Sequence, residues 1–98
     1  MAQFDVYRLG SGEFVLDCQS DWADFLQTRF VVPLLDPELV PAPIKGLHPT
    51  FNVEGQDLLM ATQLATAVQR HELIEPLHSL ERQRYTIIKA LDFLITGV

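Results

Sequence analysis

Residues 80–98 read LERQRYTIIKALDFLITGV, and this stretch determines how the rest of the chain is expected to fold. On a helical wheel at about 100° per residue, most of its aliphatic side chains fall into one arc. The arc comprises Leu80, Ile87, Ile88, Leu91, Leu94 and Ile95, with Ala90 at its edge. This spacing predicts an amphipathic helix whose apolar stripe packs on the core.

The predicted helix has suitable residues at both ends. Ser79 can accept a hydrogen bond from the first free N–H groups, and Gly97 can adopt the left-handed conformation that ends a helix. Phe93 departs from the pattern because it projects near Lys89, away from the stripe. Two interpretations stay open: a neighbouring loop or second subunit covers Phe93, or it belongs to a protein-binding surface.

Two strand patterns begin the chain. Residues 3–9 and 13–18 flank a Gly-Ser-Gly turn at 10–12, where the glycines are free to adopt positive φ. Together they predict an antiparallel hairpin. The first strand alternates, so we expect it to be half-buried, with Val6 and Tyr7 on opposite faces.

Further strand patterns follow in the middle of the chain. Residues 30–32 predict a strand, in which Pro33 marks an edge or a bulge. Residues 50–54 and 57–61 predict a second hairpin around a tight turn at 55–56.

The remaining segments are less regular. Residues 36–49 contain four prolines and predict a crossing loop with a helical turn near residues 37–39. Residues 64–68 are a candidate edge strand. Strands followed by one terminal helix indicate a single α+β domain, residues 1–98, with an antiparallel sheet.

Composition limits the possible functions. The formal net charge of −6 argues against direct nucleic-acid binding, which requires a basic surface, and favours a basic protein partner. No segment has the length of a transmembrane helix, and residues 1–9 do not resemble a signal peptide. The single cysteine, Cys18, fits a reducing cytoplasm, and its apolar surroundings predict a buried, inert thiol.

The sequence contains no recognisable catalytic or cofactor-binding pattern. The three histidines lack the spacing of a zinc site, and no nucleophile has a base partner. Asp17, Asp21 and Asp24 are interpreted as surface acids rather than a calcium site. Trp22 is either a core anchor or part of a contact surface. We therefore predict no metal or cofactor, and a binding protein rather than an enzyme.

Several short stretches occur together in the order and spacing of the CcdB family, which this chain resembles along essentially its whole length. They are Gln3-Phe4-Asp5-Val6-Tyr7, Asp17-Cys18-Gln19-Ser20-Asp21, Val32-Pro33-Leu34, Leu47-His48-Pro49, and the ending Ile88-Lys89-Ala90-Leu91-Asp92-Phe93 with Gly97-Val98. The resemblance implies a mainly β, α+β fold. This is an SH3-like, partly open antiparallel barrel with a small three-stranded sheet and a C-terminal helix.

The resemblance also implies a function. CcdB proteins are cytoplasmic, homodimeric toxins of toxin–antitoxin modules on plasmids and chromosomes, where plasmid copies serve plasmid maintenance. They bind the A subunit of DNA gyrase and trap its cleaved-DNA complex. A CcdA antitoxin neutralises them, and the toxin–antitoxin complex represses its own operon, so DNA is contacted only indirectly. No membrane, cofactor or catalytic activity is implied.

The family's gyrase-binding positions correspond here to two residues after Gln-Ser-Asp and to the end of the helix. They are Trp22, Ala23, Asp92, Ile95, Thr96, Gly97 and Val98. The best-known members have Trp where this chain has Thr96, Asn where it has Asp92, and an aliphatic pair at 22–23.

These departures leave alternatives open. A tryptophan stacked on a guanidinium contributes about 0.5–2 kcal/mol, and Thr96 lacks that contact. Gyrase is then engaged through Asp92 and nearby aromatic residues, or the chain keeps the fold and antitoxin binding while poisoning is weak or lost. A third alternative, from another class, is a small enzyme on a barrel scaffold, for which a convergent polar pocket is required.

Overall fold

The computed structural model describes residues 2–97, which form seven strands and one α-helix. The strands are β1 (Asp5–Arg8), β2 (Phe14–Asp17), β3 (Thr28–Leu35), β4 (Thr50–Val53), β5 (Gln56–Met60), β6 (Thr66–Gln69) and β7 (His78–Ser79), and the helix is α1 (Arg84–Thr96). Every strand pair is antiparallel, in the order β4-β5-β3-β2-β1-β7, with β6 also on β3. The result is a nearly closed barrel followed by a helix, which confirms the predicted fold class.

The three-stranded part of the barrel consists of β4, β5 and the C-terminal end of β3. It is continuous with the larger part because β3 is long enough to pair with β5 at Leu34–Leu35 and with β6 at Thr28–Val31. On its other side β3 pairs with β2. The longest strand therefore joins the two parts of the sheet.

The first hairpin forms as predicted, with Val6 opposite Leu16 and a positive φ of 92° at Gly12. The expectation of a half-buried β1 is wrong. Val6 packs in the main core beneath α1, while Tyr7 packs in a second core with Val15, Val31 and Leu73. The segment that contains Leu73 covers the outer face of the sheet, so both faces of β1 are buried.

Pro33 lies in an inner strand, which corrects the expectation of an edge or a bulge. It stands opposite Val15 of β2, and its carbonyl accepts a hydrogen bond from Ala61 N–H at 2.9 Å. The N–H that proline lacks would point to the same side as this carbonyl. There β3 changes its partner from β6 to β5, so the missing donor falls between two strand pairings.

The second hairpin also forms, but its turn consists of Glu54 and Gly55, one residue earlier than predicted. Both have positive φ, 53° and 85°, as a two-residue hairpin turn of the primed type requires. The helical turn of the irregular loop is confirmed at Pro37–Leu39, where the Asp36 carboxylate accepts from Glu38 N–H at 3.0 Å.

The helix ends as predicted and begins later than predicted. Gly97 adopts a φ of 81°, and its N–H donates to Phe93 O at 2.9 Å. Ser79 Oγ accepts from Glu81 N–H at 3.2 Å, but this hydrogen bond opens a short 3₁₀ turn, Glu81–Gln83, that precedes α1.

The apolar stripe of α1 is narrower than the wheel suggested. Its buried members are Leu80, just before the helix, and Ile87, Ala90 and Leu91; its exposed members are Ile88, Leu94 and Ile95. The barrel therefore covers only the centre of the stripe, and three aliphatic side chains remain at its flank and end. The Phe93 ring lies against the loop, so near that a Cβ on Gly46 would be 3.5 Å from it. The loop therefore covers part of the ring, but Phe93 is still 38% exposed, so both interpretations of this residue stay open.

Candidate functional site

Trp22 is almost fully solvent-exposed, with 94% of the residue's surface accessible, so its interpretation as a core anchor is wrong. It occupies a single 3₁₀ turn, Asp21–Ala23, between β2 and β3. Ser20 Oγ accepts a hydrogen bond from Trp22 N–H at 3.1 Å and thereby caps the turn. A large indole held in water on a structured turn is typical of a protein-contact residue.

Two neighbouring residues extend this exposed surface. Phe25 is 79% exposed and Leu26 is 42% exposed. We refer to residues 20–28 as the Trp22 loop. Sequence reasoning did not select Phe25 or Leu26, although three large apolar residues within a run of five, at the i, i+3 and i+4 spacing of one helical face, are a detectable signal.

A buried ion pair anchors the Trp22 loop. Arg29 begins the return into the sheet and is fully buried, as is Asp17 at the end of β2. The Arg29 guanidinium donates to Asp17 Oδ2 from Nε at 3.0 Å and from Nη2 at 2.7 Å, and to Asp24 Oδ1 at 2.9 Å. Arg70, on a distant segment, donates to the Asp24 carbonyl and lies 3.3 Å from its carboxylate. The loop is therefore fixed at both ends and in its middle.

The buried position of Asp17 corrects the interpretation of this residue as a surface acid. Burial raises the pKa of its carboxyl, although the hydrogen bonds from Arg29 and Gln19 N–H oppose that shift. Asp24 is half-buried and ion-paired, whereas Asp21 is exposed and accepts from Gln3 N–H at 2.9 Å. All three acids therefore help to hold the Trp22 loop in place through ion pairs or hydrogen bonds.

Gln19 provides a second set of contacts beneath the turn. Its Nε2 donates to Ala23 O at 2.9 Å, and its Oε1 accepts from Phe30 N–H at 2.8 Å. The amide thus links the turn to the first part of β3, and Ala23 is held half-buried beside the exposed indole.

The second predicted contact region is the end of α1. Ile95 is 76% exposed, and Asp92, Thr96 and Gly97 are exposed as well. Thr96 Oγ1 donates to Asp92 O at 2.8 Å, so its hydroxyl hydrogen is already used within the helix, while its oxygen can still accept a hydrogen bond. Val98, the last predicted site residue, lies outside the described residues.

The structure brings together only part of the predicted set within one chain. Asp92 and Thr96 are linked directly, and Trp22 and Ala23 share one turn. Within residues 2–97 no hydrogen bond or ion pair connects the Trp22 loop with the end of α1. What the two regions share is solvent exposure on backbone that regular hydrogen bonds hold.

Other features within residues 2–97 are structural. No three His, Cys, Asp or Glu residues lie close enough together there to hold a metal ion. Cys18 is buried, which confirms the expected buried thiol, and burial raises its pKa well above the usual range. No helix in this part of the chain is long and apolar enough to span a membrane.

Comparison with known proteins identifies the family. Residues 3–97 match the family described as CcdB protein. No curated protein matches the chain. Since the match covers nearly every residue, the chain belongs to the CcdB family, a family of toxins of toxin–antitoxin modules that is not a known enzyme family.

Proposed function

We propose that this protein is a toxin that binds the A subunit of DNA gyrase and traps the enzyme on cleaved DNA. The observation that supports this proposal most strongly is the 94% exposure of Trp22 on a turn fixed by a buried ion pair. Interfaces are dominated by a few aromatic and arginine anchors. An indole already held in place loses little conformational entropy on binding.

In this proposal the helix end and the Trp22 loop together form the gyrase-binding surface. Family members with tryptophan at the helix end have an aromatic group where this chain has Thr96, whose hydroxyl is engaged by its own helix. Trp22 then supplies the aromatic contact from the loop instead. Ile95 and Asp92 supply apolar and acidic contacts from α1.

The proposed assembly is a cytoplasmic homodimer. Ile88 and Leu94 leave α1 with exposed aliphatic surface beside a small barrel, and a second copy of the chain would cover part of it. A CcdA-type antitoxin binds and neutralises the dimer. The toxin–antitoxin complex represses its own operon and is the only form in contact with operator DNA.

The decisive experiment combines purified dimer, gyrase, supercoiled DNA and ATP, and measures linear DNA after detergent and protease treatment. We expect linear DNA to accumulate with micromolar toxin and to disappear when the cognate antitoxin is added. A parallel induction in bacteria with wild-type or CcdB-resistant gyrase should give growth arrest that only the resistant enzyme relieves.

A second candidate function is antitoxin binding and operon control with gyrase poisoning weak or lost. The replacement of an aromatic residue by Thr96 favours it, since the threonine has no ring to stack on a partner and already donates its hydroxyl hydrogen to Asp92 O. The same experiment separates the two functions. Absence of linear DNA, together with tight antitoxin binding and harmless expression, would establish this second function instead.

A further inference from the structure

Arg70 lies directly after β6, where the sheet register brings it beside the Trp22 loop. Gln69, the last residue of β6, is paired with Thr28, the first residue of β3. Because the two strands are antiparallel, the residue after Gln69 stands opposite the residue before Thr28. The Arg70 N–H accordingly donates to Gln27 O at 2.8 Å. A residue from a distant part of the chain is thus placed against the end of the loop.

The Arg70 side chain continues this contact along the loop backbone. Its Nη1 donates to Asp24 O and, at 3.4 Å, to Leu26 O, while its Nη2 lies 3.3 Å from the Asp24 carboxylate. A planar guanidinium with several donors can make such contacts at once. Within residues 2–97 no group other than Arg70 donates to the backbone carbonyls of Asp24, Leu26 and Gln27.

The two halves of the Trp22 loop are therefore held by different residues. Ser20 and Gln19 fix the first half, which contains Trp22. The second half, residues 24–27, has neither strand nor helical structure. Besides Arg70, it is held by the Asp24 ion pair with Arg29 and by weaker contacts of the turn. A segment with so few other hydrogen bonds is expected to become mobile once its main donor is removed.

The second half of the loop also carries exposed apolar surface. Phe25 is 79% exposed and Leu26 is 42% exposed, and both stand between the backbone groups that Arg70 holds. Arg70 itself is not a large part of this surface, since its side chain is 35% exposed and its guanidinium is directed at the loop. Its contacts fix the backbone that carries Phe25 and leave the ring free.

We propose that Arg70 is a positioning residue, which holds residues 24–27 so that Phe25 forms a further contact of the gyrase-binding surface. The inference rests on the proposed function. A ring on ordered backbone loses less conformational entropy on binding than a ring on a mobile segment. Arg70 therefore raises the affinity for gyrase through Phe25, without a contact of its own.

The first test measures backbone order by nuclear magnetic resonance relaxation and does not involve gyrase. Arg70→Met keeps the length of the side chain and removes every guanidinium donor. We expect the order parameters of the Phe25 and Leu26 amides to fall from about 0.85 to below about 0.6, while that of Trp22 stays high. Arg70→Lys should restore part of the order, since an ammonium replaces only part of the guanidinium fork.

Arg82→Met is the matched control because it makes the same change at an exposed position outside the loop. It should leave the order parameters of the Trp22 loop unchanged. Equal order at Phe25 and Leu26 in the parent, Arg82→Met and Arg70→Met would overturn the proposal. Urea denaturation of each variant shows whether it is folded, and Arg70→Lys tests the same expectation if Arg70→Met folds poorly.

The second test uses the trapping of cleaved DNA by gyrase. Phe25→Ala and Arg70→Met should each raise the toxin concentration for half-maximal trapping about tenfold, and Arg82→Met should not. Because Arg70 is proposed to act through Phe25, the double variant Phe25→Ala/Arg70→Met should be no worse than Phe25→Ala alone.

Two results of this second test would contradict the proposal. A loss of about a hundredfold in the double variant would show that the two residues act independently, so that Arg70 contacts gyrase itself. Unchanged trapping by Phe25→Ala would remove Phe25 from the contact. If the parent protein traps no cleaved DNA, the proposed function fails, whereas the relaxation measurements still decide whether Arg70 holds the loop.

Discussion

Arg29 donates two hydrogen bonds to a single oxygen of Asp17, at 3.0 Å from Nε and 2.7 Å from Nη2, and both side chains are fully buried. A buried ion pair contributes little net stability, because desolvation opposes the attraction, but removal of one partner leaves an uncompensated charge. The pair joins the end of β2 to the start of β3, the two ends of the Trp22 loop. Loss of this ion pair should therefore lower the free energy of unfolding and also change the conformation of the exposed Trp22 loop.

Arg29→Met removes the guanidinium and leaves the Asp17 carboxylate buried without its partner. We expect the free energy of unfolding at neutral pH to fall by about 3 kcal/mol or more, measured by urea denaturation with circular dichroism. Arg84→Met is the control, since it breaks an exposed pair with Glu81 at 2.6 Å and should cost about 1 kcal/mol or less. Similar losses in the two variants would contradict this account of the buried pair.

Asp5 gives the chain a predictable pH dependence. Burial raises the pKa of its carboxyl above the unfolded value of 3.8, with smaller opposing effects from Ala2 N–H and the chain's amino terminus. The folded state therefore binds this proton more tightly than the unfolded state. The stabilising contribution is complete below pH 3.8 and is lost as the pH rises through the folded-state pKa.

Asp5→Asn mimics the protonated side chain at every pH. We expect this variant to be more stable than the parent at pH 7, and the difference to shrink as the pH falls towards 3.8. Urea denaturation of both proteins across this range measures the difference, in which the contributions of all other groups cancel. A difference that grows on acidification would mean that the carboxylate is stabilised by folding.

Cys18 should be chemically silent in the folded protein. It is 6% exposed, and burial raises the pKa of its thiol, so both access and thiolate formation are suppressed. With a disulfide reagent at pH 8, we expect labelling at the rate of unfolding and rapid labelling in urea. Ser11→Cys adds a thiol in the exposed first turn and should provide one immediately reactive equivalent. Immediate reaction of Cys18 in the parent would show that the site opens locally.

The features that could be predicted from the sequence depend on local chemistry. Gly12 and Gly97 have positive φ, as their positions after a strand and after a helix indicate. The strand patterns and the helix period are equally local, so the antiparallel sheet and the terminal helix follow from them. Errors of one residue, as at the turn of the second hairpin, are typical of such patterns.

The features that could not be predicted depend on residues far apart in the chain. Arg70 contacts Asp24 across 46 residues, and nothing in either neighbourhood indicates the other. Arg29 reads as an ordinary charge until β2 and the loop enclose it. The burial of Tyr7 is similar, because only the segment carrying Leu73 covers that face. For the same reason, two interpretations of Trp22 remained open until its surroundings were known.

Gly97 should tolerate a side chain less well than Gly10. Its φ of 81° is a conformation that L-residues adopt at a cost, so Gly97→Ala should lower the free energy of unfolding by about 1 kcal/mol. Gly10→Ala is the control: its φ is not positive, and an added Cβ would meet no atom within 4 Å. We expect Gly10→Ala to be neutral in urea denaturation. Equal effects would indicate that the last turn of α1 frays in solution.

Trp22→Ala separates the proposed contact role from any structural role. Because the residue is 94% exposed, we expect the free energy of unfolding to change by less than about 0.5 kcal/mol. Loss of an aromatic anchor commonly costs about 2 kcal/mol or more in binding. The toxin concentration that gives half-maximal trapping of cleaved DNA should therefore rise about thirtyfold.

Ile74→Ala is the matched control, since Ile74 is another large apolar residue at 87% exposure and lies outside both proposed surfaces. It should change neither stability nor trapping. Binding to the cognate antitoxin, measured in parallel by calorimetry, shows whether each variant remains a competent partner. Equal trapping by Trp22→Ala and Ile74→Ala would remove Trp22 from the gyrase contact and leave the helix end and Phe25 as the candidates.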